Sequence, residues 1–245
     1  MRGGYQPVRF PGNPDECAVL RELERLEFSP ARLPLSRTNL RKFSSLLHAP
    51  ILELDRIATR VEHDPLLAVG VLRLVADEFA GVDSIRISDC IVIAGRIRLL
   101  ALAESTNSAP VGISAIDDFT ARSRIFSLIA SRLAAAASTV DPAAARLAGL
   151  LHALGELPIL LSGGTIDHYS PAAIAGWGKR LAASWHLPAA LVSAIAAYDT
   201  RGCDSSPDPM RLIIGAARHL MSCQVVENAL CAVVSIDGGK RKVKR

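Results

Sequence analysis

Several things are scarce in this 245-residue chain, and each scarcity excludes something. Aromatic residues make up 4% against 50% apolar residues overall, so aliphatic side chains must fill the core. The five cysteines, Cys17, Cys90, Cys203, Cys223 and Cys231, are scattered and no two are spaced C-x-x-C. That argues against a disulfide framework and a zinc knuckle, and predicts buried structural thiols in a reducing compartment. The N-terminus, MRGGYQPVRFPGNP, lacks the apolar run of a signal peptide. The most apolar stretch, CIVIAGRIRLLALA, is too short to cross a bilayer and carries Arg96 and Arg98 in its middle. The expectation is a cytoplasmic protein with no membrane partner. Gly163-Gly164 lacks the Lys-Ser/Thr of a phosphate cradle and reads as a turn. No serine or cysteine carries a local signature of nucleophilic catalysis. Period-two alternation bounded by turns is missing, and NALCAVVSI (228–236) fits strand or helix. No internal repeat of fixed period supports a solenoid.

Charge is concentrated in one place. The net charge is +4, and KRKVKR ends the chain with Lys240, Arg241, Lys242, Lys244 and Arg245. Without those five, 23 basic residues face 24 acidic ones, so the body is near neutral. The tail, 238–245, is expected to be disordered. Any nucleic acid it binds should be held weakly and without sequence preference, with a log–log salt slope of about −4.5 for five phosphates.

What is abundant is helix punctuation. Proline at the first helical position after a capping side chain is a start signal. It occurs at Asp64-Pro65, Asp141-Pro142, Ser170-Pro171 and Asp208-Pro209. Leu67, Val71, Leu74 and Phe79 follow the first at helical spacing; Leu147, Leu150, Leu151 and Leu154 follow the second. Further helices are expected at about 15–28, 36–48, 52–62, 88–104, 117–138 and 188–199. The fold class is all-α, with roughly ten helices and short connections. Alanine-rich 117–138 should lie centrally, because small side chains let helices approach. GLLHALGELPILL (149–161) reads as a helix end, a glycine break and a new helix. Composition divides the chain into a flexible N-terminus (1–14), a first helical lobe (15–107), a linker (108–117), a second lobe (118–237) and the tail (238–245). SGGTIDHYS (162–170) is an exposed loop.

LPLSRTNLRKFSSLL, IATRVEHDPLLAVGVLRLVA, SIRISDCIVIAGRIRLLALA, ARLAGLLHALGEL and WGKRLAASWHLPAALVSAIAAYD occur in this order. Together, over about 33–220, they resemble the HDOD domain, the HD-related output domain of bacterial signalling proteins. HDPLLAVGVLRLVA and AGLLHALGEL carry the resemblance most specifically. Asp77-Glu78 departs from it, standing where the family usually has Asn-Ser. The resemblance implies an N-terminal helical lobe packed on a degenerate HD-type lobe, and regulation rather than catalysis.

HD-type hydrolysis needs a divalent metal held by several imidazoles and a carboxylate. Carrying that set over by the shared motifs puts the first histidine at Arg122, the His-Asp pair at His152-Ala153, the next histidine near Ile174 and the late pair at Tyr198-Asp199. His152 alone survives, so no metal, cofactor or catalytic residue is expected. His152 should sit at a helix end, bonded to backbone or to Glu156. His63-Asp64 is a decoy, since Asp64 serves best as a helix cap, and His168 falls in the exposed loop.

Trp177, Leu181 and Trp185, four apart on one face, read as core, with a partner anchor as the alternative. Arg73, Arg96 and Arg98 interrupt apolar helices. They either pair with acids such as Asp77, Asp89 or Glu104, or line a groove for an anionic ligand or acidic partner. Ala94-Gly95 beside them would admit another backbone. Two functions are in view: a non-enzymatic signalling module that binds protein partners or a small anionic ligand, and a divergent phosphohydrolase or nucleotide-binding remnant. The signal is expected to arrive from a separate protein or small ligand.

Overall fold

The computed structural model describes residues 14–28, 33, 35, 37–79, 85–105, 114–198 and 208–222. The N-terminus 1–13, most of the expected linker, the run 228–236, the basic tail, and Asp199, Cys203, Cys223 and Cys231 lie outside the described residues. The described residues form eleven α-helices and no β-strand, as an all-α fold requires. In chain order these are α1 Pro14–Phe28, α2 Arg37–His48, α3 Leu54–Val61, α4 Pro65–Leu74, α5 Ile87–Ser105, α6 Ser114–Ala137, α7 Pro142–Leu151, α8 Leu157–Leu161, α9 Pro171–Ser184, α10 Ala189–Ala196 and α11 Pro209–Ser222.

All four cap-and-proline signals start helices. The Asp64 carboxylate accepts from the N–H groups of Leu66 and Leu67, at 3.0 and 3.1 Å. Asp141 accepts from Ala143, Ser170 from Ala173 and Asp208 from Met210. Each oxygen satisfies a backbone donor that has no partner inside the helix.

The ends hold less closely to the expected pattern. α4 stops at Leu74, and Asp77–Phe79 form a separate 3-10 turn. α5 is kinked at Gly95, whose φ of 67° and ψ of 165° suit glycine alone. No atom lies within 4 Å of where a Cβ would stand there, so Ala94-Gly95 provides a kink rather than a close contact with another backbone. The 162–170 loop contains a 3-10 turn, Ile166–His168. Cys90 is buried and Cys17 is exposed, which corrects the expectation of buried thiols at Cys17.

One continuous apolar cluster runs through the molecule. α2, α3, α4 and α5 pack on one another, and α4 also touches α6 and α7. α1 belongs to the first half by sequence but packs on α8 and α9. Two polar links tie α1 to α9 and its C-terminal cap. The indole N–H of buried Trp185 donates to the Leu26 carbonyl near the end of α1, at 3.0 Å, and Arg180 grips Glu27 through two bonds. Trp177, Leu181 and Trp185 are all core. The apolar stretch Pro142–Leu161 has the length and composition of a membrane span, but it is broken by a 3-10 turn and 89% buried inside the fold.

Two close approaches set the second half. Ala130 and Ala134 turn inward from α6, and Gly149 of α7 lies so near that a Cβ would stand 2.9 Å from Ala130 Cβ. At the 3-10 turn Leu154–Glu156, a Cβ on Gly155 would fall 1.9 Å from the Ile174 carbonyl oxygen. Glycine is the only residue that lets α9 cross the turn there.

Candidate functional site

The glycine break in GLLHALGELPILL delivers one acid into the core. Glu156 is 3% exposed, in a run otherwise wholly apolar after His152. A buried carboxylate must find donors, and Glu156 finds two. Arg122, from α6, donates to Oε2 at 2.8 Å, and the Tyr198 hydroxyl donates to Oε1 at 2.9 Å. Arg218 of α11 lies over the Tyr198 ring, 3.7 Å from its centroid, and donates to the Tyr198 carbonyl. Burial, reinforced by the neighbouring Glu156 charge, pushes the Tyr198 hydroxyl up to about 12, so it remains a donor.

His152 caps the end of α7 beside this network. Its Nδ1 lies 2.7 Å from the Gly149 carbonyl, which can only accept, so Nδ1 carries the proton. The ring stacks on Phe126 at 3.5 Å and lies 6.1 Å from the Tyr198 ring. Burial pushes its pKa down to about 3; the Gly149 carbonyl opposes this, and the Arg218 and Arg122 charges add to it. His152 is therefore neutral at physiological pH. Of the two partners expected for it, backbone and Glu156, it takes the backbone.

Positions far apart in sequence thus converge. Arg122, His152 and Tyr198 meet around Glu156, and the Ile174 backbone abuts Gly155 next door. Ala153 is buried nearby. A divalent cation does not fit these residues. A guanidinium stands at one ligand position and a methyl group at another, and both oxygens of the one carboxylate are already engaged. Among the described residues no three His, Cys, Asp or Glu side chains converge as a metal site.

The three arginines of the expected groove differ in their surroundings. Arg98 pairs with Glu78 at 2.8 Å, not with Asp77, Asp89 or Glu104. Arg96 is exposed on α5, and Arg73 is half-buried at the end of α4 with no partner among the described residues. Both α5 arginines follow the kink at Gly95 and are exposed, as are Val92, Ile93 and Ile97 at 62, 43 and 84%.

Sequence reasoning missed Arg218 altogether. Its signal was faint, a basic residue beside the buried Met210, Ile213, Ile214 and Ala217 face of α11. It also missed a second buried network, in which Asn39 donates to Asp64 at 2.6 Å and accepts from Arg60. Burial pushes the Asp64 carboxyl up, against the hydrogen bonds from Leu67, Asn39 and Leu66. The basic tail, Lys240, Arg241, Lys242, Lys244 and Arg245, lies outside the described residues.

Comparison with known proteins agrees with the all-α fold. No curated protein matches the chain. Two solved structures of the MmoQ response regulator from Methylococcus capsulatus share its fold. One, a fragment, has a TM-score of 0.58 at 16% identity, covering 79% of this chain and 85% of that one. The other has a TM-score of 0.58 at 18% identity, covering 78% and 88%. The HDOD domain family matches residues 33–170, more than half the length, and the chain belongs to that family.

Proposed function

We propose that the protein is a non-enzymatic signalling module of the bacterial cytoplasm that acts by binding a protein partner. The observation that carries this reading is the Arg122–Glu156–Tyr198 network. A fixed guanidinium neutralises the buried carboxylate where a hydrolase of the HD type would use a metal ion. The network supplies no metal-bound water, and neutral His152 has its proton committed to backbone. What the chain offers outward is the kinked α5, with Val92, Ile93 and Ile97 exposed beside Arg96 and Arg98. Exposed apolar side chains flanked by arginine suit a protein interface. That the neighbours in fold are response regulators supports a signalling role.

The test uses the full chain purified with Mn(II) or Fe(II) present. Elemental analysis should find no stoichiometric metal, and cyclic dinucleotides should not be hydrolysed. Ala153→Asp should stay inactive, since one carboxylate beside one imidazole leaves the other ligand positions empty. About one metal per chain, lost on His152→Ala, or turnover by Ala153→Asp, would favour a divergent phosphohydrolase instead.

A further inference from the structure

We propose that the outward face of α5 is where two copies of this chain meet, the two helices antiparallel across a two-fold axis and Asp89 of each opposite Arg96 of the other. This rests on the reading of α5 as the docking face and names what docks there.

The pattern of exposure defines the face. Ile91, Ala94 and Leu99 are buried, on the side by which α5 packs on α2, α3 and α4. Asp89, Val92, Ile93 and Arg96 are exposed, at the spacing i, i+3, i+4, i+7 that follows one side of a helix. Gly95 bends the axis before Arg96, yet α5 has a buried side before and after the bend, and Arg96 and Ile97 remain exposed. Val92, Ile93 and Ile97 are three large aliphatic side chains left exposed on one helix; no other described helix leaves more than two.

Charge decides the occupant. Asp89 and Arg96 make no ion pair among the described residues, and Asp89 has only the Ser88 hydroxyl, 3.5 Å away. Seven residues put them about 10 Å apart along a helix. Arg98, the other exposed arginine of α5, is taken by Glu78. The face therefore carries a free negative charge at one end of Val92-Ile93 and a free positive charge at the other. A partner surface of single sign satisfies one and repels the other. The same face turned end for end satisfies both: Asp89 meets Arg96 twice, and the aliphatic pair meets its own copy between them. Such an isologous contact closes at two chains. One helix face is smaller than the ~800 Å² per partner of a standard interface, so the pair is weak and sensitive to salt.

The full chain is followed by sedimentation equilibrium in low salt from about 1 μM to about 1 mM, the range of weak association. Its average mass should rise from one chain toward two, and fall back as salt is added. By symmetry Asp89→Arg and Arg96→Asp each put two like-charge contacts in the pair, and each alone should weaken it by about 10-fold or more. Mixed in equal amounts, the two variants should associate with each other at least as well as the parent, since an all-basic face then meets an all-acidic one. Melting at the lowest concentration checks that each is folded. Asp89 stands in the first turn of α5, where a carboxylate suits the helix dipole. If Asp89→Arg does not fold, Arg96→Asp carries the test alone. A chain still monomeric at about 1 mM overturns the pairing and leaves α5 open to a different protein. A dimer that neither variant weakens lies on another surface, and variants that stay apart on mixing rule out the Asp89–Arg96 register; either result also overturns the proposal.

Discussion

Arg122 meets Glu156 and Arg98 meets Glu78 at the same distance, 2.8 Å. Around Glu156 the carboxylate side chain is 4% exposed and Tyr198 engages its second oxygen. At the α4–α5 edge both partners are open, at 43% and 39% exposure, and Glu78 has water to turn to. Equal geometry therefore means unequal energetics. A buried carboxylate stripped of its counter-charge cannot be solvated, whereas an exposed one hardly notices. The buried region is fixed from all sides, by α6, α9, α10 and α11, and the open edge by its own two helices. A fixed polar network specifies one packing; an open arginine beside exposed isoleucine is available to a partner.

The sharpest way to break the buried region goes through backbone. Gly155→Ala places a methyl group 1.9 Å from the Ile174 carbonyl oxygen, and no rotamer can relieve that. α9 must move off the turn that aims Glu156. Chemical denaturation should show a loss above ~3 kcal/mol, or no folded protein. A stable Gly155→Ala variant with unchanged unfolding would show that α9 is not docked on this turn. Gly95→Ala at the open edge meets no atoms, only an unfavourable φ, and should cost far less, ~1–2 kcal/mol.

Within the network the two partners are not equivalent. Arg122→Ala strands a buried charge with only the Tyr198 hydroxyl and should cost ~2–3 kcal/mol, below a fully buried pair because the arginine side chain is 48% exposed. Glu156→Gln leaves an arginine that can reach water and should cost about 1 kcal/mol. Equal losses in urea unfolding would mean that Glu156 is better solvated than its burial indicates.

Acid sharpens the same contrast. Folded His152 and His63 are held down at about 3 and about 4. The unfolded chain protonates both near an ordinary value of 6.5. Below that value the unfolded state binds more protons, so their contribution is complete above about pH 6.5 and lost as pH falls toward 4 and then 3. Each can contribute a slope of up to ~1.4 kcal/mol per pH unit, less for half-buried His63 because solvent screens it. Asp64, with its carboxyl pushed up, partly opposes this in acid. His152→Gln should flatten the stability curve between pH 6 and 4 relative to the parent. A curve of unchanged slope would place an ionised imidazole in the folded core.

Legibility in the sequence follows the range of the interaction. The four caps were readable because the accepting oxygen and the N–H that donates to it lie two or three residues apart. His152, Arg122 and Tyr198 could be placed together only through resemblance to a family, since 76 residues separate the ends of that set by their numbering. Arg218 and the docking of α1 had no local mark. Trp185 finds its acceptor at Leu26, 159 residues away, and nothing in either segment names the other. The Gly95 kink was misread because glycine beside alanine signals close packing as well as a bend, and only the positive φ separates the two.

The smallest effect on folding is expected where the effect on function should be largest. Arg98→Glu faces Glu78 with a like charge, yet both side chains can swing into water. Salt screens what repulsion remains, so the melting temperature should move by less than about 2 °C. The Arg98 side chain also holds Glu78 ionised, through the hydrogen bond that lowers its pKa, but at a site open to solvent. If α5 is the docking face, replacing its arginine charge should slow association with an acidic partner and steepen no other property. Partner affinity and melting must be measured on the same protein. Lost affinity at unchanged melting would mark Arg98 as a contact. Lost melting at unchanged affinity per folded molecule would make it a brace between α5 and the turn after α4. A double change with Glu78→Arg separates the two directly, because restoring the pair with reversed charges rescues a brace and cannot rescue a contact to an acidic partner.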